Sequence, residues 1–223
     1  MKDLILNMLC TEEERLTASQ ILENKWLKFH TDDSKSDNII KNLDLKNLMN
    51  YANLEKFKKA VLFFIATRTK DEELQSLKDI FSAIDLNNDG YLTLEEFKIG
   101  CSKIPCLEMD IEELFERIDT DKTGIINYSE FLAATIEKQI YIKEDKLLQA
   151  FKVFDQDKSG KISAKDISKI IKSEDEQIED IVDDIKKFDL NGDGEIDYFE
   201  FCNMMGKQMV RRKSIKFDCL LKN

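Results

Sequence analysis

A chain of 223 residues with 42% hydrophobic residues is long enough to bury one or two cores, which excludes a disordered acidic tail. Its formal net charge of -11 argues against general nucleic-acid binding, because a phosphate backbone is held by clustered Lys and Arg, and suits a cationic ligand instead. One histidine, His30, rules out HExxH and multi-histidine metal chemistry, and the five cysteines (Cys10, Cys101, Cys106, Cys202, Cys219) include no CxxC pair, so neither a disulfide framework nor a zinc knuckle is indicated. In chain order, Lys2 to Leu9 is too short and too mixed for a secretory signal, and no apolar run approaches the roughly 18 residues of a membrane span. The expectation is a soluble protein of a reducing, cytoplasmic compartment. Residues 41–70 then carry seven bases (Lys41, Lys46, Lys56, Lys58, Lys59, Arg68, Lys70) against Asp44 and Glu55. Leu54, Phe57, Val61 and Phe64 recur there at helical spacing, giving a basic amphipathic helix. Such a helix is either a target for an acidic partner lobe or a permanent core element.

Four twelve-residue segments follow: DLNNDGYLTLEE from Asp85, DTDKTGIINYSE from Asp119, DQDKSGKISAKD from Asp155 and DLNGDGEIDYFE from Asp189. Their starts are 34, 36 and 34 residues apart, which reads as two paired units. Each has a glycine at its sixth position (Gly90, Gly124, Gly160, Gly194), where the chain must turn sharply. Calcium takes six to eight oxygens, supplied in such a loop by positions 1, 3, 5, 7, 9 and 12. The first loop offers Asp85, Asn87, Asp89, the Tyr91 carbonyl, Thr93 at the often water-bridged ninth position, and Glu96. The second offers Asp119, Asp121, Thr123, the Ile125 carbonyl, Asn127 and Glu130. The third offers Asp155, Asp157, Ser159, the Lys161 carbonyl, Ser163 and Asp166. The fourth offers Asp189, Asn191, Asp193, the Glu195 carbonyl, Asp197 and Glu200. Apolar eighth positions (Leu92, Ile126, Ile162, Ile196) predict short antiparallel bridges between paired loops. The flanks predict helices, with Leu74, Leu77, Ile80, Phe81 and Ile84 before the first loop and Ile178, Ile181, Val182, Ile185 and Phe188 before the fourth.

The loops are graded. Ligand positions hold three carboxylates in each of the first three loops and four in the fourth, while the third ends in Asp166 where the others end in Glu. A shorter last ligand lowers the coordination number and favours Mg2+. The expectation is therefore a tightest fourth loop and a weakest, Mg2+-tolerant third. The tail 207–223 carries six bases against Asp218. It reads as a solvated extension without a dedicated role; the alternatives are an extension folding back through Ile215, Phe217 and Leu220, a phosphorylation site at Ser214 after Arg211 and Arg212, and contact with anionic membrane.

The four loops and their helical flanks resemble the EF-hand family. Residues 2–27, KDLILNMLCTEEERLTASQILENKWL, resemble the last two helices of a protein kinase domain, matching at Asp3, Leu4, Ile5, Met8, Leu9, Arg15, Thr17, Ala18, Leu22 and Trp26 and departing at Glu13 and Lys25 where that pattern has Pro. The stretch from Asn47 to Asp85 resembles the junction and first EF-hand helix of the calcium-dependent protein kinases of plants and apicomplexan parasites. That resemblance implies a Ser/Thr kinase whose junction, residues 44–66, blocks the active site until the loops load with calcium. The chain has no Gly-rich phosphate loop, VAIK-type lysine, HRD or DFG. It is expected to lack catalytic activity and to be cut just inside the catalytic domain.

The expected fold is all-α, with two EF-hand lobes of paired helix-loop-helix motifs and short β-bridges, preceded by a long amphipathic junction helix. The expected division is a kinase remnant (1–30), a junction (31–70), lobe 1 (71–140), lobe 2 (141–209) and a basic tail (210–223). The expected cofactor is Ca2+, up to four ions, and the expected partners are the chain's own junction helix and a linked kinase domain. The alternative function is an autonomous calmodulin-like adaptor or buffer.

Overall fold

The computed structural model describes residues 16–23, 33–104, 110–171 and 178–208. Most of the kinase-like stretch and the tail beyond residue 208 lie outside the described residues. In order, the elements are α1 (Ala18–Leu22), α2 (Asp33–Ile40), α3 (Leu45–Ala52), α4 (Lys56–Arg68), α5 (Asp71–Ile84), β1 (Tyr91–Leu92), α6 (Leu94–Ser102), α7 (Ile111–Ile118), β2 (Ile126–Asn127), α8 (Tyr128–Thr135), α9 (Lys138–Tyr141), α10 (Glu144–Phe154), β3 (Lys161–Ile162), α11 (Ala164–Ile171), α12 (Ile178–Phe188), β4 (Ile196–Asp197) and α13 (Tyr198–Met204). None of the described helices is long and apolar enough to cross a membrane.

Each of the four loops joins two helices. The helix before loop one, α5, opens on Asp71, Glu72 and Glu73, whose charges complement the helix dipole, and buries Leu74, Leu77, Ile80, Phe81 and Ile84 along one stripe. β1 pairs antiparallel with β2 and β3 with β4, with Leu92 opposite Ile126 and Ile162 opposite Ile196. All four of these eighth-position residues are fully buried. The pairing thus turns two loops back to back and pins both through the core rather than through two hydrogen-bonded residues alone. In lobe 1 the rings of Phe81, Tyr128 and Phe131 meet edge to face, as do Phe97 and Phe115. In lobe 2 Phe151 meets Tyr198 and Phe201 edge to face, and those two rings stack on each other.

The junction differs from the single helix expected over 44–66. It is divided at Asn53, Leu54 and Glu55: the Asn53 side chain donates to the Met49 carbonyl at 3.0 Å, and Glu55 is extended with φ -62° and ψ 151°. The division lets the two halves take different partners. α3 packs on α7 and α8 of lobe 1, whereas α4 packs on α8 of lobe 1 and on α10 and α12 of lobe 2. Residues Phe57, Val61, Leu62, Ile65 and Ala66 of α4 are all buried, a broader surface than the one face read from spacing, because the helix is covered from two sides. Phe57 meets Phe154 and Phe201, and Phe64 meets Phe154. Polar contacts fix the ends: Lys146 donates to the Thr69 hydroxyl at 2.9 Å, and Lys59 donates to the Arg117 carbonyl at 2.7 Å.

Candidate metal centres

Seven of the eight buried carboxylates among the described residues stand at the first or twelfth position of a loop: Asp85, Glu96, Asp119, Glu130, Asp155, Asp166 and Glu200. A carboxylate withdrawn from water is destabilised unless a positive charge or several donors meet it. The loops supply donors first. In each loop the first-position carboxylate accepts the amide of the sixth-position glycine, at 3.0 Å for Asp85 and Gly90, 2.7 Å for Asp119 and Gly124, 3.0 Å for Asp155 and Gly160, and 2.7 Å for Asp189 and Gly194. Its other oxygen accepts the fifth-position amide, from Asp89, Thr123, Ser159 and Asp193. These bonds curl the loop around its first residue. The glycines sit at φ between 80° and 87° in the left-handed region, where a Cβ is disfavoured even though Gly90, Gly124 and Gly194 have open space around them.

The twelfth position closes the ring. Glu96 accepts the Leu86 and Asn87 amides with one oxygen and the Thr93 amide and hydroxyl with the other. Glu130 spans Thr120 and Asn127 in the same way, and Glu200 spans Leu190, Asn191 and Asp197. In each case the ninth residue also caps the exiting helix, so positions nine and twelve form a reciprocal capping box. Asp166 differs. It accepts the Ser163 amide at 3.1 Å and the Ser163 hydroxyl at 2.6 Å, but no hydrogen bond among the described residues joins it to Gln156 or Asp157. One methylene fewer leaves loop three without the cross-loop closure of the other three.

Loop two is the most assembled: single carboxylate oxygens of Asp119, Asp121 and Glu130 lie within 4.8 Å of one another, the only such acidic group among the described residues. Burial raises the Glu130 carboxyl above its ordinary range and Asp121 adds to this, whereas the bonds from Asn127 and Thr120 oppose it. Burial and Asp157 likewise raise Asp155. Converging carboxylates that resist ionising are what a divalent cation stabilises, so the residues present fit Ca2+ on their own chemistry. The fifth and seventh positions also converge, since Thr123 donates to the Ile125 carbonyl at 3.2 Å and Ser159 to the Lys161 carbonyl at 3.1 Å. In loop four Lys161 reaches Asp193 at 2.6 Å and holds its carboxyl below the usual range.

Two features escaped sequence reasoning. The fourth loop positions are left-handed as well, occupied by Asn88, Lys122, Lys158 and Gly192, and a lysine at such a site carries no compositional signal. Asp184, the eighth buried carboxylate, serves the junction rather than a loop.

The description "EF-hand domain pair" matches residues 74–136 and 144–206, more than half of the chain. The chain belongs to the EF-hand family. It is similar to curated relatives over most of its length. Calcium-dependent protein kinase 11 of Oryza sativa is 39% identical over 212 residues, covering 92% of this chain and 36% of the relative. Calcium-dependent protein kinase 19 of Arabidopsis thaliana is 36% identical over 211 residues, covering 92% and 37%. Calcium-dependent protein kinase 4 of Plasmodium falciparum is 33% identical over 223 residues, covering 92% and 42%. The EF-hand chain therefore spans less than half the length of these relatives.

Proposed function

We propose that this chain is the calcium-sensing regulatory region of a calcium-dependent Ser/Thr protein kinase, binding up to four Ca2+ and relieving autoinhibition by capturing the junction helix. The observation that carries this reading is the seat of α4, whose Phe57 lies against Phe154 and Phe201 of lobe 2 while the helix also packs on α8 of lobe 1. α8 leaves loop two, and α10 and α12 lead into loops three and four, so the helices that ion binding would reorient are those that grip α4. Ion binding and helix capture then share one coupling free energy.

The ions would be held by Asp85, Asn87, Asp89, Tyr91 and Glu96; by Asp119, Asp121, Thr123, Ile125 and Glu130; by Asp155, Asp157, Ser159, Lys161 and Asp166; and by Asp189, Asn191, Asp193, Glu195 and Glu200. Loop three, lacking the cross-loop closure, is the one that accepts Mg2+. The partners are α4 itself and a linked kinase domain, to which phosphate transfer belongs. The division into junction (31–70), lobe 1 (71–140) and lobe 2 (141–209) follows the same logic. An autonomous adaptor would need a groove open to other targets, and here the chain's own helix lies in it.

Hydrogen exchange of residues 41–70 with Ca2+ and with a chelator tests the reading. Protection with Ca2+ that is lost on chelation is expected. Equal protection in both conditions, with no apolar surface exposed to a dye, overturns the switch and leaves a buffer.

A further inference from the structure

We infer that Lys161 is a built-in counter-cation for loop four, held on Asp193 until a divalent ion enters, and that it sets that loop's affinity below what its carboxylates alone would give. This rests on the calcium reading above. Lys161 is the seventh residue of loop three, where its backbone carbonyl faces its own loop. Its side chain instead crosses the β3 and β4 bridge. The register puts Lys161 opposite Asp197, and Nζ lies 2.6 Å from Oδ2 of Asp193 and 3.7 Å from Oε2 of Glu195. One positive charge therefore faces the fifth and seventh positions of loop four. The equivalent residues of lobe 1 are Tyr91 and Ile125, which carry no charge, so the arrangement belongs to lobe 2.

Asp193 is divided between two tasks. Oδ1 accepts the Glu195 amide at 3.1 Å and shapes the turn, while Oδ2 takes Lys161. A divalent ion entering loop four adds two positive charges beside the one already there. The pair is partly solvated, with side chains 38% and 33% exposed, so repulsion is screened rather than absent. It amounts to about three-fold in affinity near 0.1 M salt and more at lower salt. Before the ion arrives the same lysine offsets the mutual repulsion of Asp193 and Glu195 and keeps β4 beside β3. Its removal should therefore act with opposite sign on the two states.

The test is calorimetric Ca2+ titration and calcium-free thermal melting of the whole chain. The variants are Lys161→Gln, Lys161→Glu, Lys165→Gln as an equal charge change in the same loop, and Glu200→Gln to mark the heat that belongs to loop four. All Lys161 variants keep the backbone carbonyl. Lys161→Gln is expected to tighten the Glu200-dependent step about three-fold, Lys161→Glu to tighten it further, and both to lower the calcium-free melting point. Lys165→Gln should do neither to the same extent. An unchanged loop-four affinity or an unchanged calcium-free melting point in Lys161→Gln overturns the inference alone, provided wild type shows the Glu200-dependent step. If wild type shows no such step, the calcium reading of loop four fails and takes the inference with it.

Discussion

The carboxylate of Asp184 lies 3.4 Å from the backbone amide of Phe57, 127 residues away in the chain. Phe57 is the second residue of α4, and Glu55, at the N-cap, makes no side-chain cap of its own. Lobe 2 thus supplies from α12 the cap that the junction helix lacks, with the negative charge at the positive end of the helix dipole. Asp184→Ala should cost about 1–2 kcal/mol in denaturant unfolding with Ca2+ present, and Asp184→Asn less. Exchange at the Phe57 amide should accelerate in the Ala variant. A protected amide there would remove Asp184 from the capping role.

Phe57 itself is the anchor on the apolar side, fully buried against two rings of lobe 2. Phe57→Ala should lose about 3–5 kcal/mol from urea unfolding, and Phe57→Leu much less. The lost ring opens the lobe 2 groove, so binding of an apolar dye in Ca2+ should rise with it.

Asp166 invites the converse substitution. Asp166→Glu restores the methylene that lets Glu96, Glu130 and Glu200 bridge their loops. Calcium affinity at loop three should rise about ten-fold and the preference for Ca2+ over Mg2+ should widen, in line with a bidentate last ligand. Competition titrations of the two ions check this, and an unchanged Ca2+ to Mg2+ ratio would refute the account of loop three.

Lys59 gives a pH signature. Burial, with Arg117 adding to it, lowers its ammonium from the ordinary 10.5 to about 8. A base depressed in the folded state contributes stability above its unfolded value that is lost as pH falls through the folded one. Unfolding free energy should therefore rise between pH 8 and about 10 more steeply in wild type than in Lys59→Met. The buried thiol of Cys101, pushed up to about 12, works in the opposite direction in the same range and is common to both proteins. The difference between the two curves is the quantity to measure, and parallel curves would mean that Lys59 titrates normally.

Much of the architecture was legible because metal ligation imposes a rigid spacing. The glycines at positive φ, the buried Leu92, Ile126, Ile162 and Ile196, and the stripe of α5 all sit where twelve-residue loops and helical period place them. The junction was not, since no Gly or Pro marks Asn53 to Glu55 and apolar Leu54 continues the helical pattern across the break. Asp184 was invisible for a different reason. An acidic residue on a helix as charged as IEDIVDDIKKF reads as solvated, and only the tertiary approach of α4 gives it a buried task. The preassembled carboxylates of loop two also depend on distances that carboxylate counting, which favoured loop four, does not carry.

The twelfth-position glutamate starts a helix as well as closing a loop: in Thr93 to Glu96, Asn127 to Glu130 and Asp197 to Glu200 the same carboxylate secures the N-terminus of the helix that follows. One residue therefore serves two structural tasks. A descendant loop that had lost its ion would still keep that glutamate to preserve its helix, so its presence in a degenerate EF-hand says little about metal. The first, third and fifth positions are the better record of whether a loop still binds.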